Sequence, residues 1–409
     1  MDTFHDLWAD LAPIGRDPST GGYHRFAYAP DELLCRSWFA SAAADVGMEH
    51  TTDRNGNLWA RWVPPGVDAS TPSLVLGSHL DSVPDGGAFD GPLGVVSAFA
   101  AIDDIRTGGM VPARPIAVVA FADEEGAPFG IACAGSRLMT GELDPDRARA
   151  LVGRDGRTMA QAMVSAGHDP EGLGPDLDAL RGIASYVELH IEQGRALVDL
   201  DAPIGVATRI WPHGRYRFTL TGEANHAGTT AMNDRHDPMI VFAEVALAAR
   251  RAATAAGARA TFGRLTVHPN GTNAIPSEVT AWLDARAASP VDLADLLEAL
   301  TAAAESSSRD HGTALSIVAE SVSGETAFDP SLSERIASVV SSHLGRPTPA
   351  IPTGAGHDAG ILATAGVPSA MLFVRNPTGV SHSPAEFAAR EDCEHGVAAL
   401  SAVIANLAR

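Results

Sequence analysis

At 409 residues the chain is long for one domain and suits two, with core enough for both. Arg and Lys total 29 against 50 for Asp and Glu, a formal charge of −21, which argues against a nucleic-acid or anionic-membrane partner because either needs a basic face. Cys35, Cys133 and Cys393 are widely spaced, the start Met1-Asp2-Thr3-Phe4-His5-Asp6 has neither a basic nor an apolar leader segment, and no apolar run approaches the ~20 residues of a membrane span, so a soluble, cytoplasmic, disulfide-free protein is expected.

In chain order, the first 50 residues read as mainly helical, with a helix running from Asp31 towards Ala44. Asn55-Gly56-Asn57 is a turn between two strand-like pieces, the second being Leu58–Trp62. Leu74-Val75-Leu76 is a short apolar run that reads as a buried strand, and it delivers His79 to the carboxyl end of a sheet, where open α/β folds place their ligands. Asp81, two residues on, is placed to accept from the second ring nitrogen of His79, as carboxylates beside metal-bound imidazoles usually do. A helix from Val95 to Arg106 follows the Gly-rich bend that carries Asp90. The buried strand Pro115–Phe121 then ends in Asp123-Glu124-Glu125-Gly126, and the strand Tyr186–Ile191 ends in His190.

Composition shifts near Trp211. From there to about residue 323 the pattern is strand, Ala-rich helix Met239–Ala256, two strands, and a helix Val291–Ser306. It suggests a compact α+β insert of the ferredoxin-like kind, largely antiparallel. Beyond the insert the strand-and-helix alternation of the first half resumes, with helix Ser331–His343, a Gly-rich stretch 353–360, strand Ser369–Val374 and a last helix Glu391–Leu407. The expected architecture is therefore α/β, a mixed-sheet domain formed by 1–210 and 324–409 around an inserted smaller domain, 211–323.

The polar groups at strand ends and adjoining bends are His79, Asp90, Glu124, Glu125, His190 and His382. Imidazoles combined with a bridging and a terminal carboxylate suit Zn2+ or Mn2+. A Glu-Glu pair is costly to leave unpaired, since adjacent carboxylates raise each other's pKa. That cost vanishes if one binds metal and its neighbour serves as base.

Several motifs resemble one family closely: Gly77-Ser78-His79-Leu80-Asp81-Ser82-Val83-Pro84, Phe89-Asp90-Gly91, Glu124-Glu125-Gly126, Leu189-His190-Ile191-Glu192-Gln193-Gly194, Ala224-Asn225-His226-Ala227-Gly228-Thr229-Thr230, Asn273-Ala274-Ile275-Pro276, Gly354-Ala355-Gly356-His357-Asp358-Ala359 and Ser381-His382-Ser383-Pro384-Ala385-Glu386. Over nearly the whole chain the sequence resembles the N-carbamoyl-L-amino-acid hydrolases and allantoate amidohydrolases, dinuclear metallo-amidohydrolases related to aminoacylases and certain carboxypeptidases. The resemblance implies two divalent cations per chain, Zn2+ or Mn2+ with Co2+ or Ni2+ as alternatives. His79, Asp90 and His190 would hold one, and Asp90, Glu125 and His382 the other. It also implies Glu124 as general base, His226 as oxyanion stabiliser acting in its own or a partner subunit, and Asn273 and Arg286 as holders of a substrate carboxylate. Gln193, Arg215, Gly356 and His357 would line the pocket, with Asp81 behind His79. A homodimer formed through the insert, which would also act as a lid, is expected on the same ground.

The implied substrate is a small ureido or N-acyl carboxylate, allantoate first, with N-carbamoyl-L-amino acids and N-formyl-amino acids as alternatives. Two departures bear on this. Trp211-Pro212-His213-Gly214-Arg215 replaces a smaller, glycine-containing stretch, and Arg375-Asn376-Pro377-Thr378-Gly379 replaces an uncharged loop, so His213 and Arg375 are extra cations for a second acidic group on the substrate. Rival readings are a metallo-di- or aminopeptidase of the same clan and a metal-free binding protein that has lost catalysis. Against the second stands the joint presence of all five ligand positions and the base.

Overall fold

The computed structural model describes residues 2–409. Two compact units are present, one running to Arg209 and resuming at Ala327, the other spanning Ile210–Thr326. Among the described residues no helix is long and apolar enough to cross a membrane, and Cys35, Cys133 and Cys393 are buried and unbridged.

The larger unit is built on a nine-stranded mixed sheet. Its path runs Glu49–Thr52, Leu58–Trp62, Ile116–Phe121, Ser73–His79, Ile183–Ile191, Ser369–Val374, Ile204–Ile210, Thr326–Ala327, with Ala350–Thr353 paired to Ile204–Ile210 off that path. The four central strands are parallel to one another, and antiparallel strands flank them. Ser73–His79, Ile116–Phe121 and Ser369–Val374 are buried along their whole length, as expected for parallel strands covered on both faces. Helix Pro92–Thr107 lies in the main core and is buried nearly all round, from Leu93 and Val95 to Ile102. Helix Arg390–Leu407 adds Val397, Leu400, Val403 and Ile404 to the same core. A second apolar cluster gathers Phe129, Leu138, Met159 and Met163 with Tyr28.

The smaller unit is a four-stranded antiparallel sheet, Ala314–Ser323, His213–Thr221, Glu278–Arg286, Arg259–His268 in spatial order, with helices Pro238–Ala256 and Pro290–Asp310. In chain order this is the βαββαβ arrangement of ferredoxin-like folds. Even-numbered residues of His213–Thr221 (Tyr216, Phe218, Leu220) enter its core with Val241, Val245, Leu296 and Leu300. The odd-numbered residues face away from that core, because side chains alternate along a strand.

Candidate metal centre

Parallel strand ends bring the polar groups together. Ser73–His79 terminates on His79, which pairs in register with Phe121, so the segment Asp123-Glu124-Glu125 emerges beside it. On the other flank His190 lies opposite Phe373, one residue before its strand ends. Asp90 sits on the bend before helix Pro92–Thr107. There Gly91 has φ 85°, and a Cβ on it would fall 2.4 Å from His79 Cε1, so glycine alone lets the bend close under the ring.

Two groups result, each with ligand atoms within 4.8 Å of one another: His79, Asp90 and His190, all buried, and Asp90, Glu125 and His382, graded from buried to exposed. Asp90 belongs to both. Its Oδ1 lies 3.5 Å from His79 Nε2 and 3.2 Å from His190 Nε2, and its Oδ2 lies 3.4 Å from His382 Nε2. Glu125 Oε2 is 3.5 Å from His382 Nε2. Glu124 Oε2 is 3.7 Å from His79 Nε2, while its Oε1 meets the Cys133 thiol at 3.5 Å.

The hydrogen bonds behind the imidazoles define their tautomers. His190 Nδ1 bonds the Ile191 carbonyl at 2.9 Å and His79 Nδ1 the Asp81 carbonyl at 3.1 Å. A carbonyl only accepts, so Nδ1 carries the proton in each ring and the Nε2 lone pair points at Asp90. Both Nε2 atoms are buried and make no hydrogen bond. Two bare imidazole nitrogens converging on a buried carboxylate are costly as they stand and are satisfied by a divalent cation. The residues fit a metal.

The electrostatics agree with that reading. Burial raises the Asp90 carboxyl, yet positive charge on the side of His190 and His79 outweighs it and holds Asp90 well below the usual carboxylate range, and with both rings neutral a cation would have to supply that charge. Burial pushes Glu124 well above that range, with Asp358 and Glu125 adding to the rise and His79 opposing it. A carboxyl raised in this way is a better proton acceptor than an exposed one, as a general base must be.

Asp81 corrects one expectation. Its carboxylate is 3.5 Å from His79 Nδ1, but the closer partner of that nitrogen is the Asp81 backbone oxygen. The carboxylate instead accepts from the amides of Glu124 and Glu125, each at 3.1 Å. It therefore orients the acidic segment more directly than the imidazole. Gln193 also lies at the centre: its Nε2 donates to Asp90 Oδ2 at 2.8 Å, and its Oε1 is shielded and without a hydrogen bond. His357 stacks edge-on against His190, with ring centroids 4.6 Å apart, and Gly356 beside it is exposed.

Other expected residues are not brought together. His226 and Asn273 are exposed neighbours in the smaller unit, where Ala227 N bonds Asn273 O and His226 pairs with Ala274. Arg286 stands at the far end of the sheet, since the strand Glu278–Arg286 starts on their side and ends on Arg286, about 27 Å of strand away. Asn273 and Arg286 of one chain thus cannot grip one carboxylate. Arg286 forms a two-point ion pair with Asp284 (2.7 and 3.1 Å), and exposed Arg215 approaches the same carboxylate at 3.6 Å. Arg375, expected as an extra cation for substrate, is held by both oxygens of buried Asp392 at 2.9 and 2.8 Å. That ion pair anchors helix Arg390–Leu407.

Sequence reasoning passed over Glu188, which shares a buried group with His190 and His357 and accepts from Ser78 Oγ at 2.8 Å. The spacing i, i+2 from His190 on one strand was the available signal.

Comparisons with known proteins give the family. The profile of peptidase family M20/M25/M40 matches residues 75–406. An N-carbamoyl-L-amino acid amidohydrolase of Geobacillus stearothermophilus is 37% identical over 98% of both chains. The allantoate amidohydrolase of Escherichia coli K12 is 33% identical over 97% of this chain and 96% of its own. Among solved structures, a hydantoinase/carbamoylase family amidase from Burkholderia multivorans superposes with a TM-score of 0.87 at 30% identity, covering 100% of this chain and 97% of that one. Enzymes of this family generally work with two metal ions, and two ligand groups sharing Asp90 fit that requirement. The chain belongs to peptidase family M20/M25/M40, in its carbamoylase and allantoate amidohydrolase branch, and is a hydrolase of amide C–N bonds.

Proposed function

We propose that the protein hydrolyses the C–N bond of a ureido group beside a free carboxylate, with allantoate as the first substrate. The observation that carries the ureido part is Gln193. Its amide nitrogen is committed to Asp90, which leaves Oε1, shielded and without a hydrogen bond, as the group free to accept. Such an acceptor matches the terminal NH2 of a ureido group, which an N-formyl group lacks. Allantoate is favoured by the open sheet face of the smaller unit, where His213, Arg215, Asp284 and Arg286 lie in one cross-strand block. A substrate with a second hydrogen-bonding arm suits that block better than an aliphatic side chain. N-carbamoyl-L-amino acids are the second reading, supported by the 37% identity to the Geobacillus enzyme.

In this mechanism two bound cations would supply Lewis acidity, lowering the pKa of the attacking water and polarising the scissile carbonyl. His79, Asp90 and His190 would hold one, and Asp90, Glu125 and His382 the other. Glu124 takes the proton from the attacking water and returns it to the leaving nitrogen. His226 donates to the developing oxyanion. Its Nδ1 accepts from Gly228 N at 3.0 Å, so in the neutral ring the proton resides on Nε2, the nitrogen required for donation. Arg286 pairs with the substrate carboxylate, as its planar fork allows. His357 and Gly356 line the pocket wall.

The substrate panel that tests this compares kcat/KM for allantoate, N-carbamoyl-L-leucine and N-formyl-L-glutamate. Allantoate should lead and the formyl substrate trail. Gln193→Ala should cost the ureido substrates about 1–3 kcal/mol in kcat/KM relative to the formyl one. Equal use of all three by the native enzyme would sink the ureido assignment.

Because His226 and Arg286 of one chain lie at opposite ends of one sheet, both can serve one substrate only if two chains contribute. We therefore include a homodimer formed through residues 211–323 in the proposal. His226→Ala and Arg286→Ala should each be nearly inactive. Unfolding and refolding them together should restore about a quarter of native activity, since half the dimers would be mixed and each would carry one complete site. No recovery in a sample shown by sedimentation to contain mixed dimers would remove the shared-site reading.

A further inference from the structure

Glu386 lies in the same loop as His382, and its carboxylate lies under the Asp90 bend. Only 5% of the residue is exposed. Oε2 accepts from the amides of Phe89 at 2.8 Å and Asp90 at 3.0 Å, and Oε1 from the Ser381 hydroxyl at 3.2 Å. That hydroxyl also lies 3.1 Å from Asp90 Oδ2. Glu386 and Ser381 together link both the backbone and the carboxylate of Asp90 to the segment that carries His382. No cation is among these contacts, so a buried carboxylate is spent on neutral donors, an arrangement that costs desolvation and is offset by the order it imposes.

The three imidazoles depend on this clamp unequally. His79 and His190 are held by hydrogen-bonded central strands and are fully buried. His382 is half exposed and stands at φ 54° in a stretch, 375–389, with no helix or strand. A non-glycine residue in that region persists only where its surroundings over-determine it. Gly87 marks the same contact from the other side: a Cβ there would lie 2.2 Å from Glu386 Oε2, and its φ is outside the left-handed region, so the Glu386 side chain is what an alanine would meet first.

Resting on the two-metal reading above, we propose that Glu386 is a positioning residue for the second ligand group. It clamps the His382 loop to the Asp90 bend, and thereby sets the affinity of the Asp90–Glu125–His382 group separately from that of the His79–Asp90–His190 group.

The test is calorimetric titration of metal-free protein with Zn2+ or Mn2+, together with the melting temperature of the metal-free forms. The native chain should show two binding events. Glu386→Ala should weaken one of them about 10–100-fold and leave the other unchanged, the usual worth of a residue that orients a ligand. Gly87→Ala should reproduce that selective loss. Glu386→Gln should recover part of it, because one amide oxygen can still accept from both backbone N–H groups. Adding His382→Ala to Glu386→Ala should weaken only the event already weakened. Equal weakening of both events, or of neither, at an unchanged melting temperature overturns the role. If Glu386→Ala does not fold, Glu386→Gln and Gly87→Ala read the same quantity. A native chain that binds fewer than two cations overturns the two-metal reading itself, a result distinct from failure of the clamp.

Discussion

Glu124→Gln is expected to keep its fold and its metal while slowing hydrolysis by about 10²–10⁴-fold. The amide is isosteric, so the Cys133 thiol at 3.5 Å and the Asp81 bond to the Glu124 amide both survive the change. What is lost is the proton acceptor. Burial raises the Glu124 carboxyl well above the usual carboxylate range, which makes it a stronger proton acceptor than an exposed carboxylate. The check is kcat at saturating substrate alongside metal content by elemental analysis. A fall in kcat with KM and metal content unchanged identifies an interaction made in the transition state. Turnover near the native value in the metal-loaded variant would move the base elsewhere.

Chelation should have a still larger effect. Protein treated with chelator and dialysed is expected to show no measurable turnover, and activity should return as a second equivalent of divalent cation binds. The reasoning starts from unpaired groups. His79 Nε2 and His190 Nε2 are buried without hydrogen bonds, and Asp90 faces both and His382 as well. Without a cation, converging lone pairs have nothing to bind, and the attacking water keeps its ordinary pKa, far above working pH. Three imidazoles and two carboxylates make a mixed ligand set, so Zn2+ and Mn2+ should both restore activity. Melting temperature should rise with added metal, because a ligand bound only by the folded state stabilises it. Full turnover in a sample verified as metal-free would end the metal-dependent reading.

Much of this site was legible in the linear sequence because it is built from local motifs at strand ends. An apolar run followed by His79, another by Glu124 and Glu125, and a third carrying His190 need only the rule that parallel strands present their carboxyl ends on one side. Strand register then aligns His79 with Phe121 and His190 with Phe373, and the side chains meet. The βαββαβ order of the smaller unit was legible for a similar reason, since helix and strand periodicities alternate over short distances.

What the tertiary structure alone decided depends on partners far apart in the chain. The residues from Asn273 to Arg286 look like one substrate-binding stretch in sequence, but an extended strand between them carries Arg286 to the other end of the sheet. Arg375 reads as a loop cation until Asp392, on the last helix, claims it. Glu386 reads as the close of a motif until its carboxylate is found beneath Phe89 and Asp90, almost 300 positions earlier. The part of the centre built from His79, Glu124, Glu125 and His190 was set by residue types at strand ends, which local hydrophobic pattern reveals, while Asp90 and His382 come from a bend and a loop. Which charges remain available for substrate, and which are spent holding the fold, was set by long-range packing that no local pattern encodes.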